Sequence, residues 1–172
     1  MTDPLDGRIG EAWSGEAPNG SHINVVVGRR GSPTAAAIAG ALASPRPGHL
    51  PFLACLEPGT LVRPVTIIVN KVTFGSDLLE RITWGAAQLG IAQGVLDAVA
   101  DGTIDPEEAA ELVLLVAVWV DPKAQDETAV RHANRDATRA AIADALSPPS
   151  GEQVRTLAER REGARNAYYS GA

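Results

Sequence analysis

The nine-residue apolar segment Leu112–Val120 constrains the fold of this chain more than any other part of the sequence. An uninterrupted apolar run of this length, rich in valine, is typical of a strand in a covered sheet. It is only about half as long as a helix that crosses a bilayer. Asn19-Gly20 predicts a turn, and the other segments alternate between strand and helix patterns, which predicts helices packed against a sheet. Strands are predicted over residues 10–15, 21–28, 50–57 and 65–74, and helices over residues 34–43, 77–100 and 128–146.

The bulk properties indicate a globular protein with one domain. A length of 172 residues is typical of a single domain, here with a core over residues 10–146 and a tail over residues 150–172. We expect the tail to pack on a neighbouring subunit through Tyr168 and Tyr169. A net charge of −6 argues against nucleic acid as a partner.

The lone cysteine and the N-terminal sequence indicate where the protein works. Cys55 has no second cysteine to pair with, which is typical of a reducing compartment. The first residues are polar and acidic and lack a signal-peptide pattern, and no apolar run is long enough to span a membrane. We therefore expect a cytoplasmic location and no membrane partner. One cysteine and three scattered histidines lack the spacing of a zinc site, so no metal is expected.

A lysine within an apolar strand pattern is the first candidate for a functional residue. The chain has two lysines, Lys71 and Lys123, and residues 65–74 around the first are rich in β-branched side chains. A buried ammonium is costly without a partner, and a strand would place Thr73 on the same face as Lys71. This pair predicts donors lining a pocket. The alternative is an edge-strand lysine that prevents aggregation.

A histidine in the predicted second strand is the next candidate. His22, Asn24 and Val26 share one strand face, which begins polar and ends apolar, as a pocket rim does. A histidine there can exchange a proton near neutral pH. The alternative is a histidine at a strand end that only bonds to the backbone.

Gln88 lies among small residues on the long predicted helix, where the backbone can closely approach a ligand or a neighbouring chain. The alternative is a solvated glutamine beside tight helix packing.

Several short motifs, spaced without an evident gap, carry a family resemblance. They are Gly10-Glu11-Ala12, His22-Ile23, Gly28-x-x-Gly31-Ser32-Pro33, Asn70-Lys71-Val72-Thr73, Gly85-x-Ala87-Gln88 and Asp105-x-x-x-Ala109-x-x-Leu112. With them the chain resembles the formaldehyde-activating enzyme family from about residue 10 to about residue 146.

The resemblance implies an activity, a fold and an assembly. Members of this family condense formaldehyde with the co-substrate tetrahydromethanopterin, giving methylene-tetrahydromethanopterin and water, without a metal. The implied fold is α+β, like the second domain of ribosomal protein S5, and the implied assembly is a homopentamer with the pterin between subunits. In this chain His22 would be the general acid. The positions implied to contact the pterin are Asn24, Leu53, Lys71, Thr73 and Gln88.

The implied chemistry leaves some alternatives open. A pterin nitrogen adds to formaldehyde, and an imidazolium at His22 would protonate the departing oxygen, while Lys71 could instead form a Schiff base with formaldehyde. Asn24 stands where the family usually has aspartate, and Trp84 where it commonly has phenylalanine. These differences suit a relative that joins formaldehyde to a different amine. A non-catalytic module that binds a pterin or a formaldehyde adduct is the third possibility.

Overall fold

The fold is built around a five-stranded mixed sheet. The computed structural model of the protein describes residues 4–165. Its strands are β1 (Arg8–Ser14), β2 (Ser21–Arg29), β3 (Phe52–Leu53), β4 (Cys55–Glu57), β5 (Thr60–Leu61), β6 (Val65–Asn70) and β7 (Leu112–Val120). The order in the sheet is β1-β2-β7-β6-β3, with β6 and β7 parallel and the other neighbours antiparallel. Strands β4 and β5 form a separate two-stranded sheet.

Five α-helices accompany the sheet in the described part of the chain. They are α1 (Pro33–Leu42), α2 (Asp77–Ile82), α3 (Gln88–Ala100), α4 (Glu127–Leu146) and α5 (Gly151–Glu159). A π-helical turn, Thr83–Ala87, joins α2 to α3, so the helix predicted over residues 77–100 is present with one widened turn. The prediction of an α+β fold with a mixed sheet packed against helices is confirmed. The closer likeness to ribosomal protein S5 stays a prediction.

The two faces of the sheet differ in how well they are covered. On β7, residues 112, 114, 116, 118 and 120 are buried in a core that also contains buried residues of α3 and α4. The residues between them, such as Leu115 and Trp119, are only half-buried. The central strand, predicted to be buried, is therefore covered on one face and partly open on the other. Helix α1 covers only one end of that open face, where Ala35 packs against Gly28.

Glycines set the distance between α3 and α4. A Cβ atom built on Gly90 would lie 2.2 Å from the carbonyl oxygen of Arg131, and one on Gly94 would lie 2.5 Å from that of Arg135. The small residues of this helix thus allow close approach, but for these two glycines the neighbour is α4 of the same chain, as in the alternative of tight helix packing. Close contact here anchors the helix that carries Gln88.

Replacing Gly90 with alanine is expected to lower the free energy of unfolding by about 1–3 kcal/mol, because the methyl group would force α3 and α4 apart. Urea denaturation measures the change. Gly85→Ala is the matched control in the adjoining turn, since a Cβ there meets nothing within 4 Å. A Gly90→Ala protein as stable as the Gly85→Ala protein would show that the helices tolerate the extra atom.

Two predicted strands have different limits in the structure. The strand predicted over residues 65–74 ends at Asn70, so Lys71 and Thr73 lie in the loop that follows. The strand predicted over residues 50–57 is divided into β3 and β4. Ala54, between them, still donates its N–H to the carbonyl oxygen of Thr66 in β6, and from Cys55 onward the chain pairs with β5 instead. Both errors come from apolar residues that continue past the end of the sheet pairing.

The tail begins with an exposed helix. Ser150 and Gln153 form a capping box at the start of α5, and none of the helix residues is buried. Val154 and Leu157 are 50% and 62% exposed. The predicted contacts of Tyr168 and Tyr169 lie outside the described residues. No helix within residues 4–165 is long and apolar enough to cross a membrane.

Candidate active site

Lys71 contacts both candidate residues of β2 on the open face of the sheet. Its Nζ atom donates hydrogen bonds to Nδ1 of His22 and to Oδ1 of Asn24, each at 2.8 Å. Lys71 follows β6 directly, and its backbone N–H donates to the carbonyl oxygen of Val118 in β7. Since β7 lies between β6 and β2, the lysine side chain reaches across one strand to contact the next.

Glu11 completes this group from the other side of the imidazole. Its Oε2 atom lies 2.7 Å from Nε2 of His22. An ammonium can only donate, so Nδ1 of His22 accepts from Lys71, and Nε2 carries the hydrogen that is donated to Glu11. The contacts thus select the neutral tautomer of His22 that carries its hydrogen on Nε2, and this imidazole links Glu11 to Lys71 by hydrogen bonds.

Aromatic rings hold the imidazole in place. Trp13 pairs with His22 across β1 and β2, and the two rings are stacked with centroids 4.4 Å apart and planes 12° apart. Trp119, on the other neighbouring strand, lies 5.3 Å from Trp13 between ring centroids. Cross-strand aromatic pairs of this kind stabilise a sheet and restrict the ring between them.

Burial changes the acid–base behaviour of Lys71. Desolvation lowers its pKa from 10.5 to about 8, and the negative charge of Glu11 partly opposes that change. The amine is therefore mostly protonated at pH 7, but it loses its proton far more readily than an exposed lysine.

Asn70 determines where the loop after β6 runs. Its buried side-chain amide nitrogen donates to the carbonyl oxygens of Gly48 and Val72, and its backbone carbonyl oxygen accepts from Nδ1 of His49. These bonds tie residues 46–49 to the loop that carries Lys71. His49 therefore has a structural contact here.

Thr73 lies on the same loop but outside the hydrogen-bonded group. It is exposed and packs on Gly48, whose φ of +77° suits glycine. A Cβ on Gly48 would come within 2.7 Å of the Thr73 side chain. Thr73 thus borders the site, and its contact with residue 48 requires glycine at that position.

Leu53 and Gln88 line a different groove. Its volume is about 670 Å³, and its walls include Phe52, Trp84 and Arg131. Nε2 of Gln88 donates to the carbonyl oxygen of Cys55 at 2.8 Å, and the rings of Phe52 and Trp84 have centroids 4.0 Å apart. The predicted residues therefore fall into two groups within the protomer: His22, Asn24 and Lys71 together with nearby Thr73, and Leu53 with Gln88.

The structure decides three alternatives left open by the sequence. Lys71 follows an interior strand and bonds to side chains of β2, so it is not an edge-strand lysine. His22 bonds to Glu11 and Lys71 side chains and is not only a strand-end residue bonded to backbone. Gln88 is half-buried and bonded to β4, so it is not simply solvated.

A comparison with known families agrees with the resemblance seen in the sequence motifs. A family model described as "Formaldehyde-activating enzyme (Fae)" matches residues 9–167. The chain belongs to the formaldehyde-activating enzyme family.

The similar curated proteins include single-function and bifunctional members of the formaldehyde-activating enzyme family. A "5,6,7,8-tetrahydromethanopterin hydro-lyase" of Methanosarcina barkeri is 41% identical over 142 residues, which cover 83% of this chain and 80% of the relative. A "Bifunctional enzyme Fae/Hps" of Methanothrix thermoacetophila is 38% identical over 80% of this chain and 35% of its own length. The protein of that name from Methanosphaera stadtmanae is 37% identical over 91% of this chain and 38% of its own length. The chain thus spans little more than a third of these two bifunctional relatives.

Three residues of this family member join the site without a role assigned from sequence. Glu11 and Asn70 are part of the motifs that carry the family resemblance, and Trp13 follows the first of these motifs. The pairing of Glu11 with Asn24 and of Trp13 with His22 places them at the site. That strand register is the signal that identifies Glu11 and Trp13, whereas Asn70 joins through its hydrogen bonds to Gly48 and Val72.

Proposed function

We propose that this chain condenses formaldehyde with tetrahydromethanopterin to give methylene-tetrahydromethanopterin and water. The hydrogen bond between Lys71 and His22 carries this proposal, because it connects a proton donor to an imidazole on the open face of the sheet. Membership in the formaldehyde-activating enzyme family and the hydro-lyase relative support the reaction and the substrates.

In the proposed mechanism His22 is the general acid. Addition of a pterin nitrogen to formaldehyde gives a carbinolamine, whose hydroxyl group must leave as water before the second nitrogen closes the ring. Lys71 can pass a proton to Nδ1 of His22, and His22 can pass it to the departing oxygen. Glu11 stabilises the imidazolium through Nε2. Proton transfer and orientation by these side chains are proposed to suffice without a metal.

The other predicted residues are proposed to bind the pterin. Asn24, Lys71 and Thr73 would hold it beside His22, and Leu53 and Gln88 would contact it from the second groove. Because these residues form two groups within a protomer, we propose that the pterin binds between subunits. Holding both pterin nitrogens near one carbon is catalysis by orientation.

A homopentamer is the assembly we propose. The open face of the sheet exposes Ile9 and Trp13, which are 68% and 52% exposed in the protomer. Large apolar side chains that remain exposed on one face of a sheet favour an interaction surface there. Sedimentation velocity of the full chain distinguishes a pentamer from a monomer. The cytoplasmic location expected from the sequence stays a prediction.

The assay that tests the proposal compares methylene-tetrahydromethanopterin formation with and without the purified chain. We expect the protein to accelerate the condensation well above the spontaneous rate. A parallel arm replaces the pterin with tetrahydrofolate, so that a different amine preference would be seen directly. Stabilisation of the protein by the pterin without any acceleration would show a binding module in place of an enzyme.

A further inference from the structure

The surroundings of Lys71 suit a nucleophile better than a permanent cation. Both hydrogen-bond acceptors of its Nζ atom, Nδ1 of His22 and Oδ1 of Asn24, are uncharged. The carboxylate of Glu11 contacts the far side of the imidazole. The ammonium is thus well oriented but is not directly paired with a carboxylate at these contacts.

The same contacts supply a route for the lysine proton. Nδ1 of His22 lies 2.8 Å from Nζ and can accept a proton from it. The imidazolium that results keeps its bond from Nε2 to Glu11. One proton transfer therefore leaves the neutral amine of Lys71 next to the imidazolium of His22, which can act as an acid.

We infer that Lys71 captures formaldehyde covalently before the pterin adds and then passes the one-carbon unit to the pterin. This inference rests on the proposed function and replaces only its first step, the direct addition of a pterin nitrogen to formaldehyde. The Nζ lone pair forms a bond to the formaldehyde carbon while the C=O π pair moves to oxygen. Proton transfer from nitrogen to oxygen gives a neutral carbinolamine. The proton held by His22 then leaves with the hydroxyl group as water, and the product is an iminium on Lys71.

Transfer to the pterin restores the protein without any oxidation or reduction. One pterin nitrogen attacks the iminium carbon, and the second displaces the lysine nitrogen. The two protons that the pterin nitrogens lose return to Nζ, which becomes an ammonium again. The sum is formaldehyde plus pterin giving methylene-pterin plus water.

The pKa of Lys71 supports this role. A pKa of about 8, against 10.5 for an ordinary lysine, gives a fraction of neutral amine at pH 7 that is greater by roughly 300-fold. The chain contains only one other lysine, Lys123, which is exposed and serves as an internal reference.

Trapping with cyanoborohydride tests the inference on the full chain. The protein is incubated at pH 7 with formaldehyde and cyanoborohydride, without pterin, and N-methylation of each lysine is followed by peptide mass spectrometry. We expect Lys71 to be methylated at least about tenfold faster than Lys123, because the reductant traps the iminium and Lys71 has more neutral amine. Equal rates at the two lysines would overturn the inference.

Variants separate this inference from the proposed function. Lys71→Arg keeps the positive charge and the donors but cannot form an iminium, so we expect it to lose most of the condensation rate, while Lys123→Arg keeps it. Acceleration by the wild type that survives in Lys71→Arg would refute covalent capture and leave the condensation intact. Selective methylation of Lys71 in a wild-type protein that does not accelerate condensation would support the capture of formaldehyde by Lys71 and refute the proposed condensation.

Asn24→Asp tests the importance of the uncharged partners. A carboxylate beside Nζ favours the ammonium, so methylation of Lys71 is expected to slow at least about threefold. This readout follows the lysine itself and does not depend on turnover. Methylation as fast as in the wild type would contradict the role given to Asn24.

Discussion

Replacing His22 with glutamine is expected to slow methylene-tetrahydromethanopterin formation by about 10²–10⁴-fold. Glutamine can still donate a hydrogen bond to Glu11, but it cannot hold and release a proton near neutral pH. The comparison is made as a protein-dependent rate, after the spontaneous reaction has been subtracted. His22→Ala gives the same test with the ring removed.

The control for His22 is a histidine outside the site. His132 is exposed on α4 and contacts Arg131, so His132→Gln is expected to leave the rate unchanged. Circular dichroism and unfolding show that each variant is folded. If the folded His22→Gln protein matched the wild type, the general-acid role of His22 would be lost.

Replacing Asn70 with alanine is expected to slow the condensation by about 10²-fold, because small displacements of a reacting group are costly in an oriented site. The variant loses the donors to Gly48 and Val72, and with them the restraint on the loop that carries Lys71. The free energy of unfolding should fall by about 1–3 kcal/mol, since two part-buried carbonyl groups lose a partner.

Asn134 provides a closely matched control for Asn70. Both residues are buried, and both donate two hydrogen bonds from Nδ2. Each also has a buried Oδ1 atom with no hydrogen-bond partner among the described residues. Asn134→Ala is expected to lose similar stability but less than about threefold in rate, because it lies on the helix side of the sheet. Equal rate losses in the two variants would show that general destabilisation, not the Lys71 loop, determines activity.

Much of the fold was predictable because its patterns are local. The alternation over residues 21–28 correctly placed His22 and Asn24 on one face and Ile23 and Val25 on the other. The helix predicted over residues 34–43 is present, and it begins with Ser32 as N-cap and Pro33 at its first position, which is a local signal for a helix start. Strand ends were less predictable, because β6 stops at Asn70 where its pairing with β7 stops, although the apolar pattern continues.

The strand register was not predictable from the turn signal. A two-residue turn at Asn19-Gly20 would have placed Glu11 opposite Gly28. In the structure Ser14 pairs with Ser21, so residues 15–20 form a longer loop and Glu11 lies opposite Asn24. The Asn19 side chain instead accepts hydrogen bonds from the backbone before α4. Asn19 therefore bonds to a distant part of the chain and does not form the two-residue turn that the sequence suggests.

The sequence alone determined which side chains share a strand face and where helices begin, because these properties depend on neighbouring residues along the chain. It also contained the motifs that relate the chain to its family. Only the tertiary structure decided that β7 separates β2 from β6, that Lys71 crosses it to reach His22, and that Glu11 lies behind the imidazole. Strand order and register depend on packing between segments far apart in sequence, which no local pattern specifies.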